Sequence, residues 1–174
     1  MPENFRITTS TKFDQMVEDA ENSYGSSARM LVALAAPTPG AAIAASAVRS
    51  RLVFALNIGG ATAMKAAYNS TTGVFVAPEN GVYIVSFTNE YGFGAGAARV
   101  ENQIVTGPPN TATAGGSPQP GGAITRNSGA QNITASFSHP VTLTAGTGVW
   151  VTQHAIGTGV TNATQLATLA IVKL

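Results

Sequence analysis

The feature that most constrains this chain is a series of short apolar or alternating segments that starts near Arg49 and runs to the C-terminus. They are rich in Val, Ile, Phe and Thr, and clusters of Gly, Pro, Asn and Ser separate them. The segments are residues 51–57, 73–77, 81–88, 98–105, 133–137, 148–154 and 167–172. Because successive side chains of a strand point to opposite faces, this pattern predicts an all-β fold, a sandwich or barrel of antiparallel strands.

The surface of such a fold would carry unusually little charge. Charged residues make up 10% of the chain, against about 25% in a typical soluble domain, and the net charge is +1. Hydrophobic residues make up 44%, which is enough for one core. A subunit with so little charge repulsion tends to associate, so we expect an oligomer.

Composition also argues against several classes of partner. The nine Lys and Arg residues are scattered singly, so nucleic-acid binding is not expected. The chain has no cysteine, which excludes disulfides and zinc–thiolate sites. The longest apolar stretch, residues 31–48, contains Pro37, Pro39 and Gly40, so no membrane-spanning helix is expected. Charged residues near the N-terminus stand where a secretory signal would be apolar, so we expect synthesis without a signal peptide.

The N-terminal region has a different pattern. Five apolar residues follow the spacing i, i+3, i+4, i+7, i+11: Phe13, Met16, Val17, Ala20 and Tyr24. This spacing predicts an amphipathic helix over about residues 11–24, with Thr11 as its cap and Gly25 at its end. A helix of about 13 residues is marginal alone, so it would pack either on its own domain or on a neighbouring chain.

The uneven distribution of acidic residues predicts a domain boundary. Five of the eight lie in the first 30 positions, and residues 31–48 are small, apolar and interrupted by helix breakers. We therefore predict an extended N-terminal arm over residues 1–48 and a single β-domain over residues 49–174. The candidate contact residues of the arm are Phe13, Met16, Val17, Tyr24, Leu31 and Val32.

Residues 106–131 contain few core-forming side chains and many Gly, Pro, Thr and Asn residues. This composition predicts a long surface loop. Loops of this length in compact domains are usually functional or disordered, so the segment is either a contact surface or a mobile loop.

Residues 68–91 resemble the central signature of the C1q/TNF-like superfamily. Tyr68, Phe75, Gly81, Tyr83 and Phe87 stand at the family's offsets. The pattern also places Phe75, Tyr83, Val85 and Phe87 inward along two strands, with residues 78–81 in the turn between them.

A second segment, residues 141–151, is similar to a later strand pair of the same family. Val141, Leu143, Val149 and Val151 would face one side of a sheet, with Gly146 in the turn. The two matches imply a jelly-roll sandwich over residues 49–174. They also imply a homotrimer, because members of the family generally form tight trimers. The candidate core residues are Tyr68, Phe75, Tyr83, Val85, Phe87, Val141, Leu143, Val149 and Val151.

The sequence offers little for catalysis or metal binding. His139 and His154 stand outside any recognisable motif, and we expect both to be structural. Some members of the family bind calcium, but a hard cation requires several carboxylates, and the predicted domain has only Glu79, Glu90 and Glu101. We therefore expect no enzymatic activity, no metal and no cofactor.

Two further features have alternative interpretations. Trp150 would stack on a sugar if it points outward, but packing in a core or a subunit interface is the favoured interpretation. Arg49 and Arg51 are alternate residues at the start of a strand, which favours a solvated edge over a clamp for an acidic partner.

Three functions fit a trimeric jelly roll with an arm. The favoured hypothesis is a bacteriophage virion protein that decorates or cements the capsid, with itself and a major capsid protein as partners. The alternatives are the receptor- or glycan-binding head of a fibre or spike, and a secreted C1q-like recognition module. The absence of cysteine and the composition rich in Ala, Gly and Thr favour the first.

Overall fold

The computed structural model describes residues 29–33, 43, 49–54, 56–60, 62–96, 98–111, 116–162 and 167–174. Within these residues the chain forms twelve β-strands and one short helix. The strands are β1 Arg29–Ala33, β2 Ser50–Arg51, β3 Leu56–Gly60, β4 Tyr68–Asn69, β5 Val74–Val76, β6 Gly81–Phe93, β7 Ala98–Gly107, β8 Ser117–Asn127, β9 Gln131–Leu143, β10 Gly148–Ile156, β11 Val160–Asn162 and β12 Thr168–Lys173. Helix α1, Thr62–Ala66, lies between β3 and β4.

The strands pair antiparallel into two sheets. Sheet I has the order β9–β6–β12–β1–β3, with β11 beside β6 beyond the end of β12. Sheet II has the order β8–β7–β10–β5–β4, with β2 beside β10 beyond the end of β5. Some strands that are neighbours in a sheet, such as β6 and β12, are far apart in the chain. Each sheet therefore combines strands from early and late parts of the chain.

The two segments that resemble the C1q/TNF-like signature meet at one end of the sandwich. The turn before β6 and the turn between β9 and β10 are joined by hydrogen bonds. The Ala145 N–H donates to Asn80 Oδ1 (2.8 Å), and the Gly146 N–H donates to the Ala77 carbonyl (2.8 Å). Gly146 has φ = 85°, which favours glycine at this turn.

The main core lies between the sheets. Its large fully buried residues include Phe54, Met64, Phe75, Tyr83, Phe87, Ile104, Leu169 and Ile171. The rings of Phe75 and Tyr83 meet edge to face at 5.8 Å between centroids, as do those of Phe54 and Phe87 at 6.2 Å. A second cluster around Tyr91, Phe93 and Val160 fills the other end of the sandwich.

The predicted boundary at residue 49 is wrong for the sheet. Residues 29–33 of the predicted arm form β1, which pairs with β12 on one side and with β3 on the other. The Ile43 N–H also donates to the Val160 carbonyl (2.8 Å). Local composition did not reveal β1 because its partners lie elsewhere in the chain.

The predicted loop over residues 106–131 is also wrong. Ser117–Asn127 form β8, an edge strand paired with β7. An edge strand is held mainly by backbone hydrogen bonds on one side, so it tolerates Pro118 and several glycines and needs few apolar side chains. Among the described residues of this segment, 108–111 and 116 before β8 and 128–130 after it lie outside strands.

Three smaller differences concern strand ends. The predicted strand over residues 51–57 divides into β2 and β3, which belong to different sheets. Strands β6 and β9 are longer than predicted and pair over their full lengths. His139 and Pro140 lie inside β9, where proline is tolerated because β9 is an edge strand of sheet I.

Candidate functional site

No cluster of metal-ligating side chains occurs among the described residues. His139 lies half-buried on β9, opposite Val85, and His154 lies on β10 beside Glu101. The two histidines therefore belong to different sheets. None of the described helices is long and apolar enough to cross a membrane. The remaining candidates are the outer faces of the two sheets.

Along β6, β9 and β12 the outer face of sheet I is almost uncharged, and none of the described residues covers it. We call it the bare face, and it consists of the outward side chains of β6, β9 and β12: Val82, Ile84, Ser86, Thr88, Glu90, Asn132, Thr134, Ser136, Ser138, Pro140, Thr142, Thr168, Ala170 and Val172. Glu90 is the one charged side chain in this set. Few surfaces of soluble proteins contain so little charge, so this face is a candidate interface.

The bare face is ordered by its own cross-strand contacts. The hydroxyl groups of Ser86 and Ser138 are 2.8 Å apart, and those of Thr88 and Ser136 are 3.0 Å apart. At the end near the C-terminus the face becomes apolar, since Val82 is 37% exposed and Leu174 is 63% exposed. The Ser and Thr side chains of the bare face are short, so they lose little conformational entropy when another surface covers them.

The outer face of sheet II is charged. We call it the arginine face, and it consists of Arg49, Arg99, Glu101, Arg126 and His154. Glu101 Oε2 accepts from Arg49 Nη2 (2.7 Å), and Glu101 Oε1 lies 3.1 Å from Arg99 Nη2. His154 Nδ1 lies 3.6 Å from Glu101 Oε2. One carboxylate therefore lies between two guanidinium groups, and Arg49, which was expected at a solvated edge, is instead part of an ion-pair network.

Trp150 lies on the same side of sheet II, because its neighbours Val149 and Val151 point into the main core. It is nevertheless completely buried, together with Val74 and Val105. The connection between β7 and β8 covers it, and a Cβ at Gly116 would lie 2.7 Å from Trp150 Cζ2. Trp150 is therefore packed, and it offers no open ring to a sugar.

Arg51 completes this cover. Its guanidinium carbon lies 4.5 Å from the centroid of the Trp150 ring, a cation–π distance. Its Nη2 donates to the Thr111 carbonyl (2.9 Å) and its Nη1 to the Thr72 carbonyl (3.3 Å). Arg51 thus joins two loops over the indole, and burial lowers its pKa from the ordinary value.

A polar cluster lies inside the sandwich between the two apolar clusters. Asn89 and Tyr91 come from sheet I, whereas Asn102 and Gln153 come from sheet II, and all four are buried. The Tyr91 hydroxyl donates to Asn102 Oδ1 (2.9 Å) and lies 3.1 Å from Gln153 Oε1. Burial raises the pKa of Tyr91 to about 12, against the opposing effect of the neighbouring amides. The cluster therefore links the two sheets through neutral groups.

The structure places the candidate core residues together. Phe75, Tyr83, Val85, Phe87, Val141, Leu143, Val149 and Val151 are buried in the main core. Tyr68 packs against that core while half-buried, and its hydroxyl accepts the Phe54 N–H (2.8 Å). Burial raises the pKa of Tyr68 to about 12, although the bond from Phe54 opposes the shift.

The candidate contact residues of the arm are only partly described. Phe13, Met16, Val17 and Tyr24 lie outside the described residues, as does the predicted helix over residues 11–24. Leu31 and Val32 belong to β1, whose backbone is paired on both sides. Sequence reasoning missed both outer faces of the sandwich, and the alternation of Ser and Thr along β6 and β9 was the available signal for the bare face.

No protein-family model matches this chain, and no curated protein matches it. Solved structures do match. The globular domain of a zebrafish complement 1qA protein superposes with a TM-score of 0.56 at 16% identity, covering 84% of this chain and 95% of that one.

Two tumour-necrosis-factor-type structures are also similar. The Eiger TNF from S. frugiperda gives a TM-score of 0.54 at 12% identity, covering 86% of this chain and 93% of that one. Murine APRIL at pH 5.0 gives 0.52 at 12% identity, covering 84% and 99%. Identities this low indicate architecture alone, and the described fold is a C1q/TNF-like antiparallel jelly roll.

Proposed function

We propose that this protein is a non-enzymatic structural protein of a virion, a homotrimer that decorates or cements a phage capsid through its N-terminal arm. The observation that carries the proposal is the bare face. It offers a broad sheet surface on which three copies can meet with a single charged side chain per subunit, Glu90, in the covered set.

The size of the bare face supports self-association. Two strands of 13 residues and one of six, spaced about 4.8 Å apart, cover about 500 Å² of sheet. A stable interface buries roughly 800 Å² per partner, so this face can supply more than half of one. The small hydroxyl and methyl groups also permit close approach, and the resemblance to the C1q/TNF-like family implies three copies.

The arm is the proposed attachment device. Phe13, Met16, Val17 and Tyr24 lie on one side of the predicted helix, which suits docking on the apolar surface of a shell protein. Because β1 belongs to the sheet, we place the shell-binding segment upstream of Arg29. Attachment at three points per trimer would multiply the effect of each weak contact.

Two measurements test the proposal. Sedimentation of the full chain should give a mass of three subunits. A variant lacking residues 1–28 should remain a trimer, because β1 is still present. When it is added to shells assembled without this protein, electron microscopy should show that it no longer binds them. A monomeric full chain, or full shell occupancy by the truncated variant, would contradict the proposal.

Control variants separate loss of attachment from loss of folding. Replacing Phe13 and Val17 with Ser should abolish shell binding, whereas replacing Asn22 and Ser23 with Ala should leave it unchanged. A fibre head would instead bind cells or glycans as the full chain without any shell. The burial of Trp150 gives that alternative no support.

A further inference from the structure

The positive charge of this chain is concentrated in its jelly roll. Residues 29–174 contain seven Lys and Arg against three Glu, an excess of four positive charges. Residues 1–28 contain two Lys and Arg against five acidic residues, an excess of three negative charges. The two parts of the chain are therefore electrostatically complementary.

The arginine face holds much of the positive excess. Arg99 on β7 lies directly opposite Arg126 on β8, and like charges in this position destabilise a sheet. Glu101 is the one described carboxylate on this face, and it is already shared by Arg49 and Arg99. Arg126 is exposed, and no described carboxylate pairs with it.

The remaining donors indicate that the face is short of acceptors. Arg49 Nη1 and Arg99 Nε have no hydrogen-bond acceptor among the described residues. Arg49 and Arg99 also keep 32% and 39% of their side chains exposed. A ligand with several carboxylates would relieve the repulsion by pairing with the exposed parts of these guanidinium groups.

The N-terminal segment carries such a set of carboxylates. Asp14, Glu18 and Glu21 are spaced i, i+4, i+7, which places them on one stripe of the predicted helix beside its apolar side. Asp19 falls on a different side. The stripe is about 10 Å long at 1.5 Å per residue, and the arginine face spans about 14 Å from β2 to β8. The two lengths are comparable.

We propose that the acidic stripe Asp14, Glu18 and Glu21 of a second copy of this chain docks on the arginine face. A second copy is favoured because the stripe is tethered to β1 in sheet I, and the arginine face lies on the outside of sheet II. Residues 22–28 span at most about 25 Å, and they would have to pass around the edge of the sandwich. Such a contact joins unlike surfaces, so it closes a ring of subunits or extends an array.

Disulfide trapping in the full chain tests this proposal, because the sequence has no cysteine and only an introduced pair can react. The test variant is Glu21→Cys with Arg126→Cys. The matched control is Asp19→Cys with Arg126→Cys, which removes the same charges but places the thiol off the stripe. Arg126 is exposed, so neither variant should disturb folding.

We expect the Glu21 pair to form disulfides at least about threefold faster than the Asp19 pair, since a few exposed ion pairs shift an equilibrium severalfold. When two versions of the variant that differ in mass are mixed, products that contain one chain of each mass should form, which shows that the disulfides join different chains. Adding Arg99→Glu to the Glu21→Cys, Arg126→Cys variant should slow disulfide formation. Adding Glu18→Arg as well should restore the rate, because it reverses the charge on the other side of the contact. High salt should slow disulfide formation in the Glu21→Cys, Arg126→Cys variant.

Equal rates for the two pairs would overturn the proposal, and bonds formed only within one chain would overturn the assignment to a second copy. The test uses no shell and leaves the bare face intact. Its failure is therefore distinguishable from failure of the proposed decoration function, which is read from sedimentation and shell binding.

Discussion

The two outer faces of the sandwich differ although the same pleat builds them. On sheet I the outward residues of β6 and β9 are mostly short and, apart from Glu90, uncharged, and no described residue covers them. On sheet II the outward Trp150 is buried beneath Arg51 and the β7–β8 connection, and Glu101 partly neutralises the arginines. Sheet II thus receives a cover from its own chain, whereas the described residues give sheet I none. The comparison suggests that another molecule covers the bare face.

The largest expected effect comes from a charge placed at the centre of the bare face. Ser86→Arg would bring three like charges into the proposed trimer interface, which costs several kcal/mol. We expect monomers by sedimentation. Thr71→Arg, in the exposed turn between β4 and β5, is the matched control and should stay trimeric. A trimeric Ser86→Arg variant would break the distinction between the two faces.

On sheet II the largest effect should come from the covered indole. Trp150→Ala removes a fully buried aromatic side chain, and we expect a loss of about 3–5 kcal/mol in the free energy of unfolding. Chemical denaturation measures it. Val53→Ala is a control at a 37% exposed site and should cost well under 1 kcal/mol. Similar losses for both variants would mean that the cover over sheet II adds little.

Tyr91 provides a reference in the interior that belongs to neither face. Its pKa in the folded protein is about 12, above the unfolded value near 10, so folding favours the neutral phenol. This contribution, about 3 kcal/mol, is fully present below pH 10 and is lost as the pH rises through 12. We expect stability to fall over that interval, and Tyr91→Phe should reduce the slope of free energy against pH.

Part of the slope should remain in Tyr91→Phe, because burial also raises the pKa of Tyr68 to about 12. Tyr91→Phe should lower stability at neutral pH as well, since it removes the donor to Asn102. An unchanged alkaline slope in this variant would show that the interior cluster does not govern the response.

A smaller effect is expected from the acidic residues, of which each face has one in its defined set: Glu101 on the arginine face and Glu90 on the bare face. Glu101→Gln removes the carboxylate shared by Arg49 and Arg99, and we expect a loss of about 1–3 kcal/mol. Glu90→Gln makes the same change on the bare face and should alter stability by less than about 0.5 kcal/mol. Denaturation in low and high salt would measure both, and equal losses would contradict the comparison.

The smallest effect should be a gain. Arg126→Gln removes one of two like charges that lie directly opposite on β7 and β8. In the variant lacking residues 1–28, which has no acidic stripe, we expect an increase of about 0.2–0.5 kcal/mol in low salt, which should disappear in high salt. A clear loss of stability in that variant would contradict the repulsion between Arg99 and Arg126.

Much of the core could be predicted from the sequence because it follows from local alternation. Phe75, Tyr83, Val85 and Phe87 occupy every second position within short strands, and the pleat alone puts them on one face. The turn at residues 78–81 was readable because Pro-Glu-Asn-Gly interrupts two apolar runs. These features depend on residues that are neighbours in the chain.

The missed features depend on distant pairing. Strand β1 has an apolar pattern too short to identify, and it becomes a strand because β12 and β3 supply hydrogen bonds on both sides. Strand β8 has few apolar residues and is held by the backbone of β7. The role of Glu101 was hidden for the same reason, since Arg49 reaches it from another strand.

The sequence by itself determined the all-β class, the inward residues of the central strands, and a surface poor in charge. Those properties follow from alternation and composition, which act locally or on average. Only the tertiary structure decided which outward residues stay open and which are covered. That choice depends on where loops and distant strands lie once the sheets have formed, and backbone pairing over long separations fixes their positions.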